Sequence, residues 1–259
     1  MPGSRSNMVS SFTIIKGALI EETYKILEEW NFDWSVEENL GHAQQNNTVG
    51  AKSLNWMRDL RSVIHRRYDP NTKDKSLALL AKAHVSYEIW KPAQLWHMTR
   101  DEFLVRDFFT NWLFKEYEDG AYRLRTQDPY EYLQSLPDKG LVPKKWTDRT
   151  VQRVSGSLLR MAVDFGLMNG ATVREFGSYH MPEESFLYLL HAMFEQLGNG
   201  RDVVQSPDWR LYLMSTEDVE NEILRLHQFR QLRFERAGSL IELSLPHKTA
   251  AEYVEEMLS

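Results

Sequence analysis

Residues 48–67, TVGAKSLNWMRDLRSVIHRR, decide how this chain is read. Val49, Leu54, Met57, Leu60 and Ile64 recur at three- and four-residue steps, while Lys52, Arg58, Arg61, His65 and Arg66 occupy other faces, so the segment predicts a long basic amphipathic helix. Just upstream, Ser35-Val36-Glu37-Glu38 has the form of a capping box and opens a short helix that fails around Gln44 to Asn47. A short helix, a turn and a long basic helix give the outline of a helix-turn-helix.

Working outward, Gly17 to Trp30 places Leu19, Ile20, Tyr24 and Leu27 on one helical face. Lys75 to Trp90 is apolar nearly all round and predicts one helix enclosed by others. Thr99-Arg100-Asp101-Glu102 reads as a capping box, opening a helix that carries Phe103, Phe108, Phe109, Trp112 and Leu113 into the core and stops at Gly120. Asp128-Pro129 starts a short helix to Leu136, and Pro137 to Pro143 is a Pro/Gly loop where a domain boundary is placed. Trp146-Thr147 opens a helix with Val151, Val154, Leu158, Ala162 and Phe165 on one stripe and Arg149, Arg153 and Arg160 elsewhere, so the short-then-long basic arrangement recurs.

Ala171 to Tyr179 alternates weakly, as a strand or an extended link, and Met181-Pro182 starts an apolar helix ending near Gly198. Ser206-Pro207 caps a short helix, a longer one follows Thr216, and Gln231 to Leu245 reads as a hairpin about Ala237-Gly238 before a last helix from Thr249 to Leu258. This order is the plan of a winged helix, with Arg225, Arg230, Arg233 and Arg236 near it. The expected fold is mainly α, a multi-helix protein with helix-turn-helix-like units and one small C-terminal, winged-helix-like β-hairpin. The expected division is a disordered N-terminus over 1–11, a helical domain over 12–136 and a helical, winged-helix-like domain over 137–259.

Composition narrows the function. A chain of 259 residues, 42% hydrophobic, can bury a sizeable core. With 0 cysteines it has no disulfide framework, thiolate nucleophile or cysteine zinc site. The start, MPGSRSNMVSSF, lacks the apolar stretch of a signal peptide, and no uncharged apolar run is long enough to cross a bilayer, so a cytoplasmic protein without membrane association is expected. The net charge of -6 hides segregation. Residues 17–47 carry seven acids against Lys25, residues 52–75 seven bases against three acids, and residues 123–160 eight bases against four acids.

Familiar catalytic signatures are missing: no Gly-rich phosphate loop with its lysine, no GxGxxG after a strand, no HExxH and no GxSxG. The eight histidines are well separated, and His191 with Glu195, the nearest pair at helical spacing, reads as one partly buried histidine on a packed helix. Glu21-Glu22 and Glu37-Glu38 are assigned to solvent and helix dipoles. No catalytic residue, cofactor or metal site is predicted, and the protein is expected to be no enzyme. The sharpest functional signal is the stripe from Lys52 to Arg67, with Lys144 to Arg160 as its counterpart. Two readings stand for both: cations meeting successive phosphates, or solvated faces paired with neighbouring acids such as those of Gly17 to Glu38.

Four stretches, TIIKGALIEETYKIL (13–27), NWMRDLRSVI (55–64), FLVRDFFTNWLFKEY (103–117) and WTDRTVQRVSGSLLRMAVDFGLM (146–168), resemble the BrxA family, a small accessory component of bacterial BREX phage-exclusion systems. The resemblance implies a nearly all-helical, two-part protein with helix-turn-helix-like units that binds double-stranded DNA without enzymatic activity, beside other BREX proteins that supply methylation and nucleotide hydrolysis. Onto this chain it carries phosphate contacts by Lys52, Arg58, Arg61, Arg66 and Arg67, with Arg149, Arg153 and Arg160 as a second surface. The chain departs from the family in its length and its net acidity. The rival readings are a protein adaptor for the defence complex, working through the acidic N-terminal helix, and an RNA-binding protein.

Overall fold

Hydroxyl and amide side chains start many of the helices in the computed structural model, which describes residues 9–142, 144–238 and 240–257. Ser10, Ser35, Ser53, Ser86, Thr147, Asn199, Ser206 and Ser215 each accept a backbone N–H of the first turn they precede, which satisfies donors that the helix itself cannot. Parts of four expectations (the disordered start over 1–8, Pro143 of the Pro/Gly loop, Ser239 of the hairpin and Leu258 of the last helix) lie outside the described residues.

The first half is helical: α1 Ser11–Ile15, α2 Ile20–Glu28, α3 Val36–Asn46, α4 Leu54–Arg67, α5 Lys75–Lys82 and α6 Tyr87–Met98. Then come α7 Phe103–Asp107, a π-helical stretch Phe108–Leu113 and α8 Phe114–Glu118. A second group follows: β1 Arg123–Arg125, α9 Tyr130–Ser135, α10 Asp148–Asp164, β2 Met168–Asn169 and β3 Val173–Phe176. Here β1, β3 and β2 form one antiparallel sheet in that order, with Leu124 opposite Arg174 and Met168 opposite Phe176. The chain ends with α11 Glu183–Leu197, α12 Gly200–Val204, a 3-10 turn Pro207–Tyr212, α13 Thr216–Gln228, the hairpin β4 Arg233–Ala237 and β5 Leu240–Ser244, and α14 Ala250–Met257.

The mainly α fold is as the sequence predicts, with local differences. Lys75 to Trp90 is two helices, because His84 takes a left-handed conformation at φ 53° and breaks the run. Thr99 closes α6 instead of opening the next helix: its Oγ1 donates to Trp96 O at 2.8 Å, and Glu102 gives α7 no side-chain cap because its carboxylate faces Arg67. The strands β1 and β2 have too few residues to show a period of two, and they come into view only as partners of β3.

Buried apolar residues run as one cluster from Ile14 to Val254. Four fully buried tryptophans anchor it, each with its indole N–H satisfied: Trp30 by Asn71 Oδ1, Trp90 by Gln94 Oε1, Trp96 by Asp208 Oδ2 and Trp209 by Val203 O. The hairpin packs on α12, where a Cβ at Gly200 would stand 2.6 Å from Leu243 Cβ. Among the described residues no helix is long and apolar enough to cross a membrane.

Candidate nucleic-acid interface

α10 is the best-formed amphipathic element of the chain. Thr147 Oγ1 accepts the Thr150 N–H at 3.2 Å and starts it, and Val151, Val154, Leu158, Leu159, Met161 and Ala162 turn its apolar stripe into the core. At about 100° per residue, Arg149, Arg153 and Arg160 fall within about 40° of one another on the opposite side. All three are exposed. The stripe is nevertheless divided, because Gly156 lies between Arg153 and Arg160 and a Cβ there would stand 3.7 Å from Thr126, the residue after β1. Ser155 Oγ, one position away, donates to Thr126 O and fixes the strand end against the helix.

The division sorts the arginines. Arg149 and Arg153 have no ion pair among the described residues, and the exposed Lys144 and Lys145 precede them directly. Arg123 and Arg125 stand exposed on β1, either side of buried Leu124. Arg160 instead donates to Asp164 Oδ1 at 2.7 Å, and that hydrogen bond raises its pKa above the ordinary guanidinium value. Arg174 is buried, and desolvation lowers its pKa, reinforced by the charge of Arg160.

On α4 the predicted set separates further. Lys52, Arg58 and Arg61 keep solvent contact and carry no ion pair among the described residues. Arg66 is half-buried, 3.6 Å from Glu102. Arg67 is 0% exposed and must be removed from the candidate set. Its Nη2 donates to Thr13 O at 2.8 Å, its Nη1 to Gly17 O at 2.9 Å and its Nε to Glu102 Oε1 at 3.2 Å, so the charge is spent inside the fold and no phosphate can approach it. The sequence carries the signal for this: 60, 64 and 67 share one helical stripe, and Leu60 and Ile64 are core.

A groove of about 750 Å³ is lined by Trp56 from α4, by Arg160 and Asp164 from α10, and by Glu21, Glu22, Glu88 and Lys91, and none of Lys52, Arg58, Arg61, Arg149 and Arg153 lines it. Lys16, at the end of α1, spans it by pairing with Asp59 of α4 while sitting 5.5 Å from the Trp56 ring centre. Tyr87 lines the same groove, and its pKa is raised by burial and then by the charges of Glu21, Glu28 and Glu22. Lys52 with Arg58 and Arg61 forms one patch at α4, and Lys144 and Lys145 with Arg149 and Arg153 another at the start of α10.

Three of the four arginines about the hairpin are occupied, Arg225 by Glu183 and Glu222, Arg233 by Glu235 and Arg236 by Glu220, whereas Arg230 is exposed and carries no ion pair among the described residues. The sequence reading missed the exposed pair Arg123 and Arg125 as interface residues, since the strand holding them was not predicted. Among the described residues no group of three or more His, Asp or Glu side chains is placed to hold a metal.

A model of the BrxA family matches residues 11–192, more than half of the chain, from α1 into α11. Both basic patches fall inside this match, and the β4–β5 hairpin falls outside it. No curated protein matches the chain.

Proposed function

The chain belongs to the BrxA family, and from that premise we propose that it is a non-enzymatic, double-stranded-DNA-binding accessory of a BREX phage-defence system. The observation that carries the reading is the pair Arg149 and Arg153, exposed and without ion pairs among the described residues, on the outer face of α10. Helix α8, strand β1, helices α9 and α10 and strands β2 and β3, with β1 beside β3, follow the order of a winged helix-turn-helix. In such a unit the second helix of the pair enters the major groove, and cations at its start meet the flanking phosphates. Lys144, Lys145, Arg149 and Arg153 stand at that start. Arg123 and Arg125 extend the surface, and Lys52, Arg58 and Arg61 give a second contact that a long duplex can reach.

The net charge of -6 does not oppose this, because counterion release depends on the few cations that touch phosphates. The binding expected is strongly salt-dependent with weak sequence preference. Gel shifts test it: Arg149→Glu with Arg153→Glu should abolish the duplex shift, and Arg58→Glu with Arg61→Glu should weaken it. Unchanged shifts from both pairs refute the reading. Competition by structured RNA separates an RNA-binding protein from a duplex-binding one.

The groove with Glu21 and Glu22 favours a second role, as an adaptor that receives a basic protein partner. Co-purification of BREX proteins after nuclease treatment, lost on Glu21→Gln with Glu22→Gln, tests that role independently.

A further inference from the structure

Away from both basic patches, α5, α6 and α11 share a chain of hydrogen-bonded side chains that the DNA reading does not use. His97 Nδ1 lies 2.6 Å from Asp74 Oδ1, His97 Nε2 lies 2.8 Å from Tyr188 Oη, and that hydroxyl lies 2.9 Å from Ser76 Oγ. Asp74, His97 and Tyr188 are buried, whereas Ser76 is half-buried and opens on a cleft of about 530 Å³.

The chain has a direction. The Asp74 carboxylate accepts the Asp69 N–H at 2.7 Å on one oxygen, and its other oxygen faces His97 and, at 3.7 Å, Arg100. His97 Nδ1 therefore carries the proton, and burial pushes the ring's pKa down, which leaves Nε2 an acceptor. Tyr188 must then donate to His97, and Ser76 to Tyr188. The Ser76 oxygen is left facing the cleft as an acceptor. Gln196 also lines the cleft, and its Oε1 is buried without a hydrogen-bond partner among the described residues, an acceptor that a turn of the side chain would offer to the cleft.

The rim is cationic. Lys75, stacked over Phe32, and Arg100, stacked over Trp96, both line the cleft, and Arg100 keeps donors beyond the one it gives Lys73 O. Glu195, the acid of the rim, lies against the Ala250 N–H at 3.4 Å. Cations at the mouth with acceptors on the floor suit a ligand that is anionic at one end and rich in donors at the other. We propose that this cleft binds a phosphomonoester whose uncharged body carries hydroxyl or amino groups, of the nucleoside monophosphate or sugar phosphate kind. Lys75 and Arg100 meet the phosphate, Ser76 Oγ accepts from the body, and Gln196 turns its Oε1 towards the same body. Thr249 and Ala251 complete the wall, so the ligand also holds α14 against α5.

Calorimetric titration of the full chain with AMP, ribose 5-phosphate, inorganic phosphate and adenosine tests this, with duplex affinity read on the same preparations. The expected result is saturable binding of AMP or ribose 5-phosphate, weakened about tenfold by Ser76→Ala and by Lys75→Gln. Duplex affinity stays unchanged in both variants, and amide exchange over 250–257 slows when ligand is bound. The proposal is overturned if neither phosphomonoester binds at millimolar concentration, or if inorganic phosphate or adenosine alone binds as tightly. It is equally overturned if both variants bind like the parent protein. Because duplex binding is scored separately, failure here is distinct from failure of the DNA reading.

Discussion

Arg67 Nε donates to Glu102 Oε1 at 3.2 Å in a place where both side chains are sealed from water. The pair joins α4 to the start of α7, and the two other nitrogens of the same guanidinium tie in α1 at Thr13 and the turn after it at Gly17. Removing Arg67 leaves the buried Glu102 carboxylate, among the described residues, with only the 3.6 Å approach of Arg66. Arg67→Met should therefore cost about 3–5 kcal/mol, measured by urea denaturation. The folded fraction should bind duplex as the parent does. Weakened duplex binding at undiminished stability would contradict this structural role.

Gly170 makes the β2–β3 turn possible. Its φ is +101°, and a Cβ there would lie 2.3 Å from Val173 O. Backbone cannot yield as a flexible side chain can, so Gly170→Ala should lose about 1–3 kcal/mol in thermal or chemical denaturation. It should also speed amide exchange in β2 and β3. A neutral substitution would mean that the turn adopts another conformation.

His191 supplies an acid sensitivity. Its Nδ1–H donates to Leu187 O at 2.7 Å, its ring stacks on Tyr253 at 4.9 Å, and its Nε2 is buried with no partner among the described residues. Burial lowers its pKa; the Leu187 carbonyl opposes this, nearby His247 adds to it and Glu252 opposes it. The unfolded chain takes up a proton near the ordinary value of 6.5, and the folded chain resists it. The destabilisation is thus absent well above that pH and grows as the pH falls below it. Buried His97 shifts in the same direction. His191→Phe should be neutral or slightly stabilising near pH 7.5, and should make the fall in stability towards about pH 5.5 shallower. Denaturation at the two pH values checks it, and an undiminished acid loss in the variant would contradict the assignment.

Amphipathic periods longer than two turns were readable from the chain alone. The stripes of α4 and α10 and the helix starts at Ser35 and Thr147 lie close to where they were expected, because each is a local pattern backed by core burial. Distinctions that depend on long-range partners were not readable. Helical spacing sets Arg67 on the stripe of Leu60 and Ile64, yet only the packed fold shows the buried socket of Thr13, Gly17 and Glu102 that takes its charge while Arg66 stays half-buried. The expected winged-helix region at the C-terminus does contain a hairpin, but a three-stranded sheet beside α10 went unseen because β1 is stabilised by a partner some fifty residues away. Glu222 beside Arg225 is a local i,i+3 neighbour, but Glu183 on Arg225 and Glu220 on Arg236 become visible as partners only after the chain packs.

The most direct test is duplex affinity measured by fluorescence anisotropy across a salt series, for the parent protein and for Arg149→Ala with Arg153→Ala. If these two side chains meet phosphates, the slope of log affinity against log salt should become shallower by about 2, roughly one for each phosphate no longer neutralised, with unchanged circular dichroism. Arg160→Ala, whose side chain is already bound to Asp164, should leave the slope nearly as it was. An Arg149 and Arg153 variant that binds duplex with the parent's affinity and the parent's salt slope would contradict the account.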